Sequence, residues 1–230
     1  MTHGSLFDGF GGLRRGLEDA GFITKWKRDL IYGNDIETDN PSDFDRVDLI
    51  SGGPSCRKTS HAASFQRGRT GFSHWPHMLR FVEVLRPSWV LVEQPLGGRV
   101  VIIQAALDLQ RLGYGSAGRI IDSQHWVPQR RSRWFLIGRL GVKGMALWNQ
   151  LYPHSERMER GQPEIDGEAS SGAIAQSGIR YLGACPHCLP DGILARVSAR
   201  KSACMGAGNA VTQPLAEWIG KRIIEVDKSA

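Results

Sequence analysis

A chain of 230 residues holds one complete core with a small addition, and it is too short for two complete enzymatic domains. With 41% hydrophobic and 23% charged residues, the composition is typical of a globular protein and excludes a disordered or fibrous one. The net charge of +6 suggests a polyanionic partner.

Short apolar strands alternate with helices in the first part of the chain. In chain order we predict a strand over residues 5–7, a helix over 13–20, a strand over 47–51, a helix over 78–85, a strand over 89–92, a helix over 100–112 and a strand over 134–137. The run WVLV at residues 89–92 is typical of a strand covered on both faces. This alternation predicts a doubly wound, Rossmann-like α/β sheet.

The later part of the chain is less regular. Residues 161–178 are rich in Gly, Ser, Ala, Gln and Glu, which indicates a linker or a mobile loop. Leu215, Ile219 and Ile223 then recur at four-residue spacing, which predicts an amphipathic helix over residues 215–226.

The sequence indicates neither a membrane-spanning segment nor an export signal. Its apolar runs are all well short of the roughly 18 residues that span a bilayer. The first residues, MTHGS, lack a charged region followed by an apolar stretch. We therefore expect a soluble, cytoplasmic protein with no membrane partner.

A glycine-rich turn follows the first predicted strand. Gly9, Gly11 and Gly12 lie where the backbone of an α/β protein approaches a ligand and the next helix directs its N–H groups toward it. A joint between a strand and a helix also needs glycine for its geometry alone, so both interpretations stay open at this turn.

Cys56 follows the second predicted strand and the segment GGPS. It is therefore expected at the carboxyl edge of the sheet, where α/β proteins bind their ligands. Arg57 and Lys58 would favour its thiolate, the reactive form of the side chain. The alternative is a small buried hydrophobic residue, as many lone cysteines are.

Charged residues also border two of the buried strands. Glu93 follows the apolar run at 89–92, and burial of a carboxylate there requires a partner or a function. Arg130, Arg131 and Arg133 precede the strand at 134–137 and suit bidentate binding of a phosphate or a base edge. The alternatives are an ion pair between Glu93 and a sheet-edge arginine, and a solvated strand entry for the arginines.

Basic residues are concentrated in three windows that contain no Asp or Glu. The windows between Asp48 and Glu83, between Asp122 and Glu156, and between Asp191 and Glu217 hold 5, 5 and 3 Lys or Arg residues. If the windows converge, they form one basic face around the site; the alternative is three separate solvated loops.

Four cysteines in a chain without an export signal indicate thiols in a reducing compartment. Cys185 and Cys188 have the spacing of a zinc knuckle or a redox pair, with Cys204 as a third sulfur. His154 or His187 would have to complete a zinc site. Ordinary thiols are the default interpretation, and we predict no metal.

Five segments of this sequence together resemble the DNA (cytosine-5) methyltransferases. In chain order they are LFDGFGG at residues 6–12, GGPSC at 52–56, VE at 92–93, VPQRRSR at 127–133 and GNAV at 208–211. Their order matches the motifs of that family, and together they are specific although no single one is. The resemblance implies a catalytic core over residues 1–139, a reduced target-recognition or linker segment over 140–207, and a closing motif with a returning helix over 208–230.

The resemblance also implies which residues act. The catalytic residues would be Cys56, Glu93, Arg131 and Arg133. The cofactor, S-adenosylmethionine, would be bound by Phe7, Gly9, Gly11, Gly12, Asp35 and Asn209. Asp29 is the nearest candidate for the acid that holds the cofactor ribose, because the polar stretch 23–29 offers no obvious buried strand.

In the implied reaction, the Cys56 thiolate adds to C6 of a cytosine that is flipped out of duplex DNA. Glu93 stabilises the charge at the N3 edge, Arg133 contacts the carbonyl oxygen of the base, and the activated C5 accepts the methyl group. The expected partner is double-stranded DNA, and the expected state is a monomer associated with the nucleoid of a prokaryotic or virus-infected cell. Methylation of tRNA and a non-catalytic nucleic-acid-binding role remain the alternatives.

Overall fold

The computed structural model describes residues 1–54, 73–127, 131–152 and 211–229. Six strands form one sheet in the order β2-β1-β3-β4-β6-β5. The strands are β1 (Thr2–Leu6), β2 (Ile23–Arg28), β3 (Leu49–Gly52), β4 (Trp89–Pro95), β5 (Tyr114–Asp122) and β6 (Ser132–Leu140). The pairings from β2 to β4 are parallel, whereas β6 runs antiparallel to both of its neighbours.

Five α-helices accompany the sheet within the described ranges. They are α1 (Gly12–Asp19), α2 (Trp75–Leu85), α3 (Arg99–Arg111), α4 (Gly144–Leu151) and α5 (Gln213–Lys228). No helix among the described residues is both long and apolar enough to cross a membrane.

The two faces of the sheet bury separate hydrophobic cores. Val90 and Val92 of β4 contribute to the core with α2 and α3, while Trp89 and Leu91 contribute to the core with α1, α4 and α5. Successive side chains of a strand point to opposite faces, so an uninterrupted apolar strand serves both cores. The prediction of a doubly wound α/β sheet is thus confirmed.

Besides β2, two further elements were absent from the sequence-based prediction. Strand β5 has the sequence YGSAGRIID, whose small and polar residues hide the strand pattern, and it forms a hairpin with β6. Helix α4 begins only five residues after position 139, the predicted end of the core, and buries Leu147 and Leu151 in the core with α1 and α5. The predicted linker at 161–178 lies outside the described residues.

The stretch 23–29 is too polar to predict a buried strand, and the structure explains its composition. Ile23–Arg28 forms the edge strand β2, in which exposed and half-buried residues alternate. An edge strand that is covered only in part tolerates lysine and arginine, which also discourage pairing with other chains. The acid that follows it, Asp29, therefore stands at the carboxyl end of a true strand.

Helix α1 packs closely against α5, and Gly16 permits this contact. A Cβ atom built at Gly16 would lie 2.7 Å from the Glu217 nitrogen and still closer to the Gln213 carbonyl oxygen and the Ala216 Cβ. We expect Gly16→Ala to lower the free energy of unfolding by about 2 kcal/mol, because the two helices must separate. Urea unfolding measures this. Gly118→Ala is the control, since its Cβ would meet Leu136 Cδ1 at an ordinary 3.4 Å. Equal stability of the Gly16 variant and the parent would contradict the packing account.

His3 is a fully buried histidine in the centre of the sheet. Its Nε2 lies 2.8 Å from the Ser51 hydroxyl oxygen and its Nδ1 lies 3.2 Å from the Thr24 hydroxyl oxygen. Burial lowers the pKa of His3 from 6.5 to about 3, against the opposing attraction of Asp8. Between those two values the unfolded chain binds a proton that the folded chain does not, so folding weakens as the pH falls below about 6.5.

We therefore expect the difference in the free energy of unfolding between the parent and His3→Gln to become smaller as the pH falls. The parent loses about 1.4 kcal/mol for each pH unit below 6.5, whereas the glutamine variant has no such titration. Urea unfolding of both proteins at pH 7, 6 and 5 measures the difference. Contributions from other ionisable groups are common to both proteins and cancel. A difference that stays constant across this range would show that His3 is not held neutral.

Candidate active site

A cavity of about 340 Å³ opens at the carboxyl edge of the sheet, where β1 lies between β2 and β3. The chain order reverses at this point of the sheet, which is where open α/β proteins bind their ligands. The residues lining the cavity come from the end of β1, the turns after β1, β2 and β3, the strand β4, the amino ends of α1 and α2, and the segment just before α5. They include Phe7, Asp8, Gly9, Gly12, Asp29, Leu30, Ile31, Asp35, Glu37, Gly53, His74 and Glu93.

The turn after β1 has a left-handed backbone at three residues. Phe7, Gly9 and Gly11 have φ values of 53°, 54° and 76°. Such a conformation is costly for Phe7, and strain of this kind is concentrated at functional sites. Gly12 has another reason for lacking a side chain, because a Cβ there would collide with the Val211 carbonyl oxygen. Phe7, Gly9 and Gly12 line the cavity, whereas Gly11 shapes the turn as the residue that caps α1.

A buried carboxylate that the sequence did not single out holds this turn in place. The Asp8 side chain is inaccessible to solvent and pairs with Arg14, whose Nε lies 3.0 Å from Asp8 Oδ2. The hydroxyls of Ser5 and Tyr32 donate to the same carboxylate at 2.7 and 2.8 Å. Burial and the adjacent Asp8 charge raise the pKa of Tyr32 to about 12, so its phenol keeps the proton that it donates. Asp8 thereby joins the turns after β1 and β2.

Asp29 connects the same two turns through its own side chain. Its Oδ2 accepts a hydrogen bond from the Gly9 N–H at 2.9 Å, and its Oδ1 accepts one from the Ile31 N–H at 3.0 Å. Each carboxylate oxygen can accept a further hydrogen bond. Since Asp29 also lines the cavity, a ligand with hydroxyl groups can bind to it there.

The cavity wall beside Asp29 is apolar. Leu30 and Ile31 are 58% and 57% exposed, although large aliphatic side chains are usually buried. Asp35 follows on the same wall. These three features match the parts of a nucleoside. The acid at the strand end suits the ribose hydroxyls, the apolar surface suits the flat base, and the second acid suits an exocyclic amino group. The residues present therefore fit a nucleoside-containing cofactor.

Glu93 and Arg133 form an ion pair at the opposite wall of the cavity. Glu93 is 8% exposed, and its Oε1 lies 3.0 Å from Arg133 Nε. The antiparallel pairing of β4 with β6 brings them together, because Arg133 lies opposite Pro95, two residues after Glu93. The predicted alternative of an ion pair to a sheet-edge arginine thus describes part of the arrangement. It does not account for the position of Glu93 on the cavity wall.

Burial changes the protonation of this pair. It raises the pKa of Glu93 from 4.5 to about 7, although Arg133 and Arg131 act in the opposite direction. Burial, followed by repulsion from Arg133, lowers the pKa of Arg131 to about 10, with Glu93 opposing the change. A carboxyl group with a pKa near 7 can hold a proton at neutral pH and donate it in a hydrogen bond.

The segment that leads to Cys56 begins beside Glu93. Gly53 lies against Glu93 Oε2, and the Gln94 side-chain amide donates to the Pro54 carbonyl oxygen at 2.7 Å. Cys56 itself, Arg130 and Asn209 lie outside the described residues, as do Cys185, Cys188 and Cys204 of the candidate zinc site and their histidines. The chain thus enters the predicted nucleophile segment at the wall of the cavity that carries Glu93.

The prediction of one basic face around the site is wrong for Arg139, and the Arg80 guanidinium is engaged by a neighbouring loop. Arg80 donates from Nη2 to the Ile36 carbonyl oxygen at 2.8 Å and so supports a loop. Arg139 lies opposite Trp89, at the start of β4, with its guanidinium 4.8 Å from the centre of the indole ring. That position is at the other edge of the sheet from the cavity. Arg131 and Arg133 are the described basic residues that the site does bring together.

The strand order, the reversed β6 and the cavity at the carboxyl edge define a Rossmann-like methyltransferase fold. Residues 1–168 match the family of C-5 cytosine-specific DNA methylases, and the chain belongs to this family. The prediction of a DNA (cytosine-5) methyltransferase family is therefore confirmed.

Two curated relatives and one solved structure illustrate the likeness. The chain is 31% identical over 163 residues to the type II methyltransferase M.HindV of Haemophilus influenzae, covering 59% of this chain and 52% of that protein. It is 29% identical over 182 residues to M.NgoFVII of Neisseria gonorrhoeae, covering 68% and 48%. The chain thus spans about half the length of these relatives. The Dnmt2 methyltransferase of S. pombe shares the fold, with a TM-score of 0.65, 16% identity and 98% of each chain covered.

Proposed function

We propose that this chain transfers a methyl group from S-adenosylmethionine to C5 of a cytosine in duplex DNA. The observation that carries the proposal is the cavity itself, because one space joins nucleoside-binding groups on one wall to the buried Glu93–Arg133 pair on the other. A reaction between a nucleoside cofactor and a base requires such an arrangement, since both reacting atoms must meet in one site. Membership of the family supports the same activity.

The residues on the first wall would hold the cofactor. Asp29 would accept hydrogen bonds from the ribose hydroxyls, Leu30 and Ile31 would cover the adenine ring, and Asp35 would accept from its amino group. Phe7, Gly9 and Gly12 would line the approach of the methionine part, together with Asn209. When bound, S-adenosylmethionine supplies an electrophilic methyl group on a sulfonium.

Cys56 and Glu93 would activate the base. C5 of cytosine is a weak nucleophile, and addition of the Cys56 thiolate to C6 turns the ring into an enamine that is nucleophilic at C5. Glu93, with its proton, would donate a hydrogen bond at N3 and stabilise the charge that develops there. After C5 has accepted the methyl group, which leaves a neutral thioether as the second product, transfer of the C5 proton to water and departure of Cys56 as thiolate restore the aromatic ring.

Arg133 and Arg131 would hold the base and its charge. Arg133 touches Glu93 and would use its remaining N–H groups to bind the cytosine carbonyl oxygen. A cytosine within a duplex must leave the base stack to reach this site, at a cost of a few kcal/mol. Contacts between basic side chains and phosphates would offset that cost.

Asp29 gives the proposed cofactor site a direct test. We expect Asp29→Ala to weaken S-adenosylmethionine binding by about 10- to 100-fold, the effect of losing hydrogen bonds to a charged group. Isothermal titration measures the dissociation constant. Asp45→Ala, which removes an exposed carboxylate from the same region, is the matched control. An unchanged affinity in the Asp29 variant would place the ribose elsewhere.

The activity is tested by offering the protein two nucleic acids in parallel. With isotopically labelled S-adenosylmethionine, we expect label in duplex DNA, recovered as 5-methylcytosine after digestion, and none in tRNA. Label in tRNA alone would show that the substrate of the same reaction is RNA and not DNA. Binding of DNA without any transfer would support the non-catalytic role, and no binding of S-adenosylmethionine would overturn the proposal.

A further inference from the structure

Three side chains that have no role in the proposed reaction converge near the cavity wall that we propose binds the cofactor, here called the cofactor wall. Glu37 comes from the loop after β2, and His74 and His77 come from the amino end of α2. His74 Nδ1 lies 3.2 Å from Glu37 Oε1, and His77 Nε2 lies 4.0 Å from the same oxygen. We propose that these three residues form a binding site for a divalent transition-metal cation of the zinc type.

The separations between the ligand atoms fit such an ion. Zinc binds histidine nitrogen and carboxylate oxygen at about 2.0–2.2 Å, which places neighbouring ligand atoms of a tetrahedral centre about 3.3 Å apart. One potential ligand atom from each of the three residues lies within 4.8 Å of the other two. Small rotations of the half-buried imidazole rings therefore complete the set. Two histidines and one carboxylate are a known ligand combination for zinc, with a fourth position open to water.

The backbone around the site is already fixed. Arg80, one turn further along α2, donates from Nη2 to the carbonyl oxygens of Ile36, Glu37 and Asp39 at 2.8, 3.2 and 3.2 Å. The Glu37 N–H donates to Asp35 Oδ1 at 3.0 Å. The backbone of the loop that carries Glu37 is thus held by hydrogen bonds that do not depend on an ion, which lowers the cost of binding one.

A cation at this position would join two parts of the active site. The loop that supplies Glu37 also supplies Asp35 to the cavity wall, and α2 follows the segment 55–72 that contains Cys56. His74 and Glu37 line the cavity themselves, and the His74 ring packs 5.9 Å from the ring of Phe7. The ion would therefore fix the cofactor wall to the helix after the predicted nucleophile.

The test measures metal binding in the absence of DNA and cofactor, so its outcome is separate from that of the proposed activity. The full chain with Cys185→Ser and Cys188→Ser is used, which removes the paired thiols on which the other candidate zinc site depends. We expect one Zn²⁺ per chain in isothermal titration. Replacement by Co²⁺ should give visible absorption bands without the near-ultraviolet charge-transfer band of thiolate ligands.

In that background, Glu37→Gln and His77→Gln should each raise the dissociation constant for Zn²⁺ by about 100-fold or more, because each removes one of three ligands. Glu83→Gln, an exposed carboxylate on the same helix, is the control and should bind as the parent does. Thermal unfolding checks that the variants are folded. Zn²⁺ should raise the unfolding temperature of the parent and of Glu83→Gln, but not that of the two ligand variants. Zn²⁺ binding that is absent from the parent, unchanged in both ligand variants, or accompanied by a thiolate band would overturn the proposal.

Discussion

Cys56→Ser should lose methyl transfer almost completely, with kcat/KM falling by about 10⁴-fold or more. The reaction needs a thiolate at C6 of the base, and a serine hydroxyl is not ionised at neutral pH and is a far weaker nucleophile. A loss of that size corresponds to about 5.5 kcal/mol of transition-state stabilisation. Transfer of labelled methyl groups to duplex DNA under single-turnover conditions measures it.

Two controls are needed to interpret the loss of activity in Cys56→Ser. Cys204→Ser changes a cysteine outside the predicted motifs and should leave the rate within a factor of about two of the parent. The affinity of Cys56→Ser for S-adenosylmethionine should equal that of the parent, because the thiol does not hold the cofactor. If the serine variant methylates DNA as fast as the parent, Cys56 is a packing residue and the adduct mechanism is wrong.

Glu93→Gln should lower kcat by about 10²- to 10³-fold, the usual contribution of a positioned acid or base. Glutamine keeps the shape of the side chain and an N–H donor, but it cannot supply a proton to the base. The pH dependence carries more information than the loss itself. With a pKa of about 7, Glu93 holds its proton below neutrality and releases it above, so parent activity should fall about tenfold per pH unit above pH 7.

The variant should lack this decrease, because glutamine does not titrate. Single-turnover rates at pH 6, 7, 8 and 9 for the parent and Glu93→Gln test the prediction. Glu83→Gln is again the control and should retain the decrease of the parent. A variant that keeps the pH profile of the parent would show that another group is responsible for it, and Glu93 would then be a structural partner of Arg133.

The elements with continuous apolar runs were predictable from the sequence, and those with mixed composition were not. The apolar run at 89–92 predicts β4 correctly. Both faces of that strand are buried, so nearly all of its side chains are apolar. The sequence of β5 contains two glycines and a serine, and its stability depends on the hairpin with β6, which local composition does not record. β2 is also difficult to predict, because an edge strand can be polar.

The candidate site shows the same division. Phe7, Gly9, Gly12 and Glu93 stand in the family motifs. Asp35 follows from the resemblance alone, and the structure places all five residues around one cavity. Asp8 belongs to the first motif, but its role depends on the partners that surround its carboxylate in the fold, Arg14 and Tyr32. The role of Asp29 depends on the strand β2, which ends beside it and is not evident from local composition. Contacts between residues distant in sequence require the fold.

Bisulfite sequencing of DNA from cells that express this chain tests the central claim most directly. Conversion by bisulfite leaves 5-methylcytosine unchanged, so the experiment reports the activity, the modified atom and the sequence context together. The account predicts protected cytosines at one fixed position of a short recurring sequence, and their disappearance when Cys56 is replaced by serine. DNA that is fully converted, from cells in which the protein is folded and binds S-adenosylmethionine, would contradict it.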